Sequence, residues 1–276
     1  MRTPFLPVLA ALTSTLVATA ACAGVYFEST DKNLVTAAKP VTSKMWFDGG
    51  RMRSERAHDD EDGNLTIFKN RAMYTIDTSS KTYRVIDKAT VDKMGAQFAE
   101  AKKKMAAQMA SMPPEQRAMM EKMMGQMGGG APGAAAAPTR TRTLKNTGRT
   151  ETVAGIKCSV WEAAVNGQKE EELCAAEPGS IPGGDEAMKT FREIGAMLKG
   201  FTESFGARGK KSTAPWNDLE TINGVPILTR DFEHGKATSE TRLMVARKES
   251  VPDSAFEVPA GYTEKKISIG PGSDED

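Results

Sequence analysis

The chain is poor in the residues from which active centres are usually built. Its 276 residues include two His and three Cys, and the cysteines do not cluster, which leaves little for a zinc site. Aromatic residues make up 6% of the composition, and 37 Lys+Arg balance 36 Asp+Glu to a net charge of +1. With no basic stripe there is no electrostatic footprint for nucleic acid, and nucleic acid is not an expected partner. Outside the N-terminus no long apolar run occurs, which excludes a multi-span membrane protein. Gly-x-Ser-x-Gly, Walker A, His-Glu-x-x-His and dinucleotide fingerprints are also missing. His58 and His234 both fall in predicted turns, where a surface histidine is the default. No catalytic residue and no cofactor is therefore assigned, and a non-enzymatic protein is expected.

What is present begins with an export signal. Arg2 precedes an apolar stretch over residues 4–17 that ends in the small residues 18–24, the layout of a secretory signal peptide. Residues 1–23 are read as that signal, with cleavage after Ala23, where Ala21 and Ala23 supply the small side chains. A second reading makes Cys22 a lipidated N-terminus, since Ala20-Ala21-Cys22 resembles the end of a bacterial lipobox. The expected location is the periplasm or the exterior of a Gram-negative envelope, with an outer-membrane lipoprotein as the alternative. Membrane attachment follows only if Cys22 carries lipid. Either way Cys158 and Cys174 remain, an even count that reads as one disulfide in an oxidising compartment.

Along the mature chain, short strand-like runs come first, at 25–30, in a hairpin over 43–57 around Asp48-Gly49-Gly50, and at 65–68, 73–76 and 82–86. The period then changes. Val91, Met94, Phe98, Ala101, Met105 and Met109 recur at steps of three and four, one face of an amphipathic helix. Pro113-Pro114 interrupts it, a second helix carries Met119, Met120, Met123, Met124 and Met127, and residues 128–138 form a Gly/Ala/Pro linker. Strand character returns at 139–146 and 152–162. Ala187, Phe191, Ile194, Leu198, Phe201 and Phe205 form a second helical stripe, with Asp185 as its N-cap and Gly206 as its C′ residue. After a basic loop at 207–218, strands are expected at 219–222, 225–233 and 237–249. Strands flanking two helical blocks, without βαβ alternation, give an α+β plan: a single domain over residues 24–276 with a Met-rich insertion and linker at 88–138.

Cys158 and Cys174 bracket Val165-Asn166-Gly167, read as a three-residue hairpin loop. Pairing Ala164 with Gln168 puts the two cysteines directly opposite each other, within disulfide reach. The Met-rich block has three readings: a soft Cu(I) or Ag(I) site at Met119, Met120, Met123, Met124 and Met127, an adaptable apolar surface, or plain filling of a helix–sheet interface. Gly183-Gly184-Asp185-Glu186 matches part of the diguanylate cyclase signature but reads better as a helix start. Asp59–Gly63 lacks the ligand spacing of a calcium loop and reads as a solvated turn.

Three stretches together carry a resemblance: Met112-Pro113-Pro114-Glu115-Gln116-Arg117, Val153-Ala154-Gly155-Ile156-Lys157-Cys158 leading to Cys174, and Phe256-Glu257-Val258-Pro259-Ala260-Gly261-Tyr262. They resemble an exported bacterial domain family of unknown function that is distantly similar to lipoprotein carriers of the Lol type. The resemblance implies a strongly curved antiparallel half-barrel of about ten strands, with helices packed on its concave face. The expected function is a binding module for a lipid or other hydrophobic molecule in a groove between sheet and helices. The candidate lining is Met94, Phe98, Met105, Phe191, Leu198 and Phe201 on helices, with Trp46 and Tyr83 on strands. The alternatives are a Met-rich metal-binding envelope protein and a structural envelope protein with no ligand. Oligomeric state is not legible.

Overall fold

Short runs of alternating side chains, separated by residue pairs that tolerate a positive φ, fold this chain into meanders. The computed structural model describes residues 23–56, 64–117, 119, 141–205 and 218–267. The signal segment before Ala23, His58, the Asp59–Gly63 turn, the linker, Gly206 and the basic loop up to residue 217 lie outside them. Six strands come first: β1 (Ala23–Asn33), β2 (Val41–Asp48), β3 (Arg51–Arg56), β4 (Asn64–Lys69), β5 (Ala72–Asp77) and β6 (Thr82–Ile86). Helix α1 (Lys88–Ala110) follows, then β7 (Arg142–Val153), β8 (Ile156–Val165) and β9 (Gln168–Ala176). Helix α2 (Gly184–Phe205), β10 (Val225–Glu233), β11 (Lys236–Ser250) and β12 (Thr263–Glu264) complete the chain.

The strands make one 12-stranded sheet in the order β12-β6-β5-β4-β3-β2-β1-β11-β10-β9-β8-β7. Neighbours are antiparallel except β12, which runs parallel to β6. The two meanders meet where β1 lies along β11, from Ala23 opposite Ser250 to Asn33 opposite Ser239. Curvature is visible in the ion pairs. Arg230 on β10 reaches Glu151 on β7 at 3.0 Å, past β9 and β8. Three strand spacings of a flat sheet span about 14 Å, so the sheet has to bend to bring these side chains together. The architecture is the expected α+β half-barrel, with helices on its concave face.

Several local expectations change. The run at 152–162 is broken by a turn at Ala154-Gly155, with φ of 48° and 77°, so β7 and β8 are separate strands. A second unforeseen turn, Asn70-Arg71, takes φ of 52° and 57° without any glycine. Residues 219–222 belong to a short helical turn at 218–222 rather than a strand. Asp185 is not the N-cap. Helix α2 begins at Gly184, and Asp185 and Glu186 lie in its first turn, where their charges favour the positive end of the helix dipole. Gly183 enters the helix at φ +75°, and a β-carbon there would overlap the Val25 side chain, so only glycine fits.

The cysteines are joined, with a Cα–Cα distance of 5.3 Å, but by a different register from the one read in the sequence. The hairpin loop is the two-residue turn Asn166-Gly167, and Val165 pairs with Gln168. A bulge between Ala163 and Ala164 then shifts the ladder, so that Cys174 faces Val160. Cys158 is a diagonal neighbour, two residues along the same face. Diagonal partners usually stand about 7–8 Å apart, too far for a disulfide, and here the separation is drawn in to 5.3 Å, which lets the bridge close.

Candidate functional site

The inner face is built in rows. Val25, Phe47, Met52, Phe68, Met73 and Ile86 are successive cross-strand partners from β1 to β6. Five of them, with Ile86 apart, belong to or pack against the main core, which also holds Cys158, Val160, Cys174 and Leu228. Helix α2 covers this floor. Ala187, Met188 and Ile194 are buried against it, and Phe191 meets Phe47 edge-on with ring centroids 5.3 Å apart. Leu198 and Met197 pack on the same core. Methionine recurs through the seam, with Met45, Met52, Met73, Met188 and Met197 all in contact with it. The space beneath α2 is filled, since Phe27, Phe47, Phe68 and Ile194 are all at or below 2% exposure.

Helix α1 packs on α2 and on β6 rather than across the floor. Asp87 caps its start by accepting from the Thr90 backbone N–H at 2.7 Å. This bond lowers the Asp87 pKa. Its end is closed by Arg117, which donates to the carbonyls of Met109, Ala110 and Met112. That gives the Met112–Arg117 motif a structural job: proline stops the helix, and arginine satisfies the carbonyls left open. Met94 and Met105 are half-buried on α1, whose buried apolar residues are Val91 and Met109.

Of the eight candidate lining residues, Phe191 and Leu198 lie on the floor and Met94 and Met105 in the helix layer. The side chains of Phe98 and Phe201 lie outside the described residues. Trp46 and Tyr83 are on the other face of the sheet. Strand alternation sends Trp46 away from Met45 and Phe47, and both residues pack instead with Leu65, Ile67, Ile76 and Phe256. The single groove lined by all eight is therefore not what the chain builds. The outer cluster is covered by residues 251–262, whose Phe256 is fully buried beneath the Arg51 guanidinium at 4.4 Å. Of the Met-rich metal candidates, Met119 is exposed at 76%, and Met120, Met123, Met124 and Met127 lie outside the described residues. Among the described residues no group of three or more His, Cys, Asp or Glu is placed to hold a metal ion. Nor is any helix among them long and apolar enough to cross a membrane.

Beyond the apolar floor, the C-terminal strands carry a charged row that sequence reading did not single out. Glu162, Glu172, Arg230 and Glu240 are successive cross-strand partners, two residues along from Val160, Cys174, Leu228 and Arg242. Glu172 accepts from Arg149 at 2.6 Å, Lys169 at 2.7 Å and Arg230 at 2.9 Å. Arg230 also bonds Glu151 and Glu240. Burial pushes the Glu172 pKa up, but the bonds from Lys169, Arg149 and Arg230 outweigh it and bring the carboxyl down to about 2. A neighbouring carboxyl goes the other way. Burial raises the Glu171 pKa despite the bond from Arg142, with Asp231 and Asp218 adding repulsion. Only the positions of these charges were legible in the sequence, because the network depends on a register set by bulges. His234 takes φ 50° in the β10–β11 turn and, with Lys169, Asp231 and Phe232, lines an open polar hollow of ≈ 700 Å³.

A family model described as a domain of unknown function (DUF4412) matches residues 93–262, a span that includes all three stretches carrying the resemblance. No curated protein matches the chain. Among solved structures, an uncharacterized conserved protein from Thermus thermophilus is 6% identical, over 89% of this chain and 91% of that one, with a TM-score of 0.44. The MucA/MucB complex of Pseudomonas aeruginosa contributes a chain 7% identical, over 86% of this chain and 56% of that one, with a TM-score of 0.36. A LolA superfamily protein from Nitrosomonas europaea is 8% identical, over 85% and 89%, with a TM-score of 0.29.

Proposed function

The chain belongs to the DUF4412 family, and on that premise we propose that it is a non-enzymatic binding module of the bacterial envelope that holds an apolar or amphiphilic ligand between its curved sheet and its helices. The observation that carries this reading is the methionine seam under α2. Unbranched thioether side chains repack at low cost, and a core with Met45, Met52 and Met73 on its floor and Met188 and Met197 on its covering helix suits parting and closing again around a guest. Binding would be driven mainly by apolar area, with α2 yielding its contacts to the ligand. The buried disulfide supports an oxidising compartment, in keeping with the export signal read at the N-terminus.

The experiment is lipid mass spectrometry on full-length protein purified from a bacterial periplasm, together with uptake of a fluorescent fatty acid. Co-purified lipid and saturable uptake are expected. The double replacement Met52→Ile and Met188→Ile, which stiffens the seam while keeping it apolar, should weaken uptake severalfold. An apo spectrum with no uptake refutes the proposal.

A further inference from the structure

The inner face of the N-terminal strands carries a second row, one step along from the apolar floor. Ser54, Thr66, Thr75 and Arg84 are direct cross-strand partners in that order, on β3, β4, β5 and β6. Met45 continues the row onto β2 and packs on the main core, which fixes it on the side that bears the helices. Met52, Phe68 and Met73 stand two residues away on the same strands, so hydroxyls and floor share one face. Ser54 and Thr66 are half-buried, and Thr75 and Arg84 are exposed.

None of these four side chains bonds to another described residue. The next row out behaves differently: Arg56 pairs with Asp31 at 3.2 Å, and Ser43 donates to the same carboxylate at 2.9 Å. Arg56 and Ser43 in that outer row are thus occupied, while the ladder of hydroxyls ending in a guanidinium is not. The four side chains span roughly 14 Å at ordinary strand spacing. Guanidinium offers donors only, in a planar fork that matches carboxylate or phosphate oxygens, and a threonine hydroxyl is free to donate beside it.

We infer that this row is the head-group subsite for an anionic amphiphile, with Arg84 and Thr75 holding carboxylate or phosphate oxygens and the apolar part running over Met52, Phe68 and Met73. The inference rests on the proposed binding of an apolar ligand and adds the chemistry of its polar end. An anion here gains charge-assisted bonds without breaking an existing ion pair, and the exposure of Arg84 makes that gain sensitive to salt.

The test is equilibrium binding of oleate, oleoyl lysophosphatidate, monoolein and inorganic phosphate to the full chain and to Arg84→Gln. The wild type is expected to bind the two anionic lipids about tenfold more tightly than neutral monoolein. In Arg84→Gln, which breaks no hydrogen bond or ion pair among the described residues, that preference should vanish while monoolein affinity holds. A preference for oleate over lysophosphatidate, or the reverse, names the carboxylate or the phosphate as the head group. Affinity for monoolein equal to that for both anionic lipids, or an equal loss of all three in Arg84→Gln, overturns the inference while leaving the apolar site standing. Competition by phosphate alone, as strong as that of the lipids, also overturns it. Failure of all three lipids to bind removes the proposed function itself.

Discussion

Replacing Glu172 by glutamine tests whether the charged row stabilises the curved sheet. The carboxylate is 7% exposed and held by Arg149, Lys169 and Arg230. Its folded pKa of about 2, against an ordinary 4.5, is the measure of that hold. A group with a depressed folded pKa contributes its stability in full above the unfolded value and loses it as the pH falls through the folded one. The shift corresponds to about 3 kcal/mol at pH 7, reduced toward ~2 kcal/mol because Arg149 is half exposed and screened. By pH 3 roughly half of it is gone. Urea unfolding of wild type and Glu172→Gln at pH 7 and pH 3, in low salt, should show the gap between them narrowing on acidification. A gap of the same size at both pH values, or one below about 0.5 kcal/mol at pH 7, would refute the linkage. Glu162 serves as control. Its side chain is 40% exposed and 3.5 Å from Lys169, and Glu162→Gln should change stability by less than about 1 kcal/mol.

Two further perturbations act on other parts of the fold. Phe256→Ala empties the centre of the outer cluster, where the ring is fully buried, and should cost about 3–5 kcal/mol in chemical denaturation; a loss under about 1 kcal/mol would mean that residues 251–262 do not seal that face. Cys158→Ser with Cys174→Ser removes a link of sequence separation 16 and should lower stability by about 3 kcal/mol, with the wild type matching the variant once reduced. Unchanged melting on reduction would count against a bridge in the folded chain.

Most of the local structure, and the single bridge, follow from the order of residues alone. Alternation at 43–57 and 65–86 depends on neighbours a few residues apart, and so does the three-and-four spacing of Ala187, Phe191, Ile194 and Leu198, so both survive unchanged in the fold. The Gly49-Gly50 turn was legible for the same reason, whereas Ala154-Gly155 lay hidden inside a strand-like run despite its glycine, and Asn70-Arg71 adopts that conformation with none. Which face a side chain serves is settled by long-range packing. Trp46 and Tyr83 are apolar in either setting, and nothing local says that residues 251–262 return to cover them on the outside of the sheet. The bulge at Ala163 and Ala164 likewise moved Cys174 opposite Val160, and the separate register of β9 with β10, shifted between Pro226 and Leu228, aligned Glu172 with Arg230, 58 residues away in the chain. Such pairings arise from sheet register and curvature, which are set by the packing of the whole molecule rather than by any short window of residues.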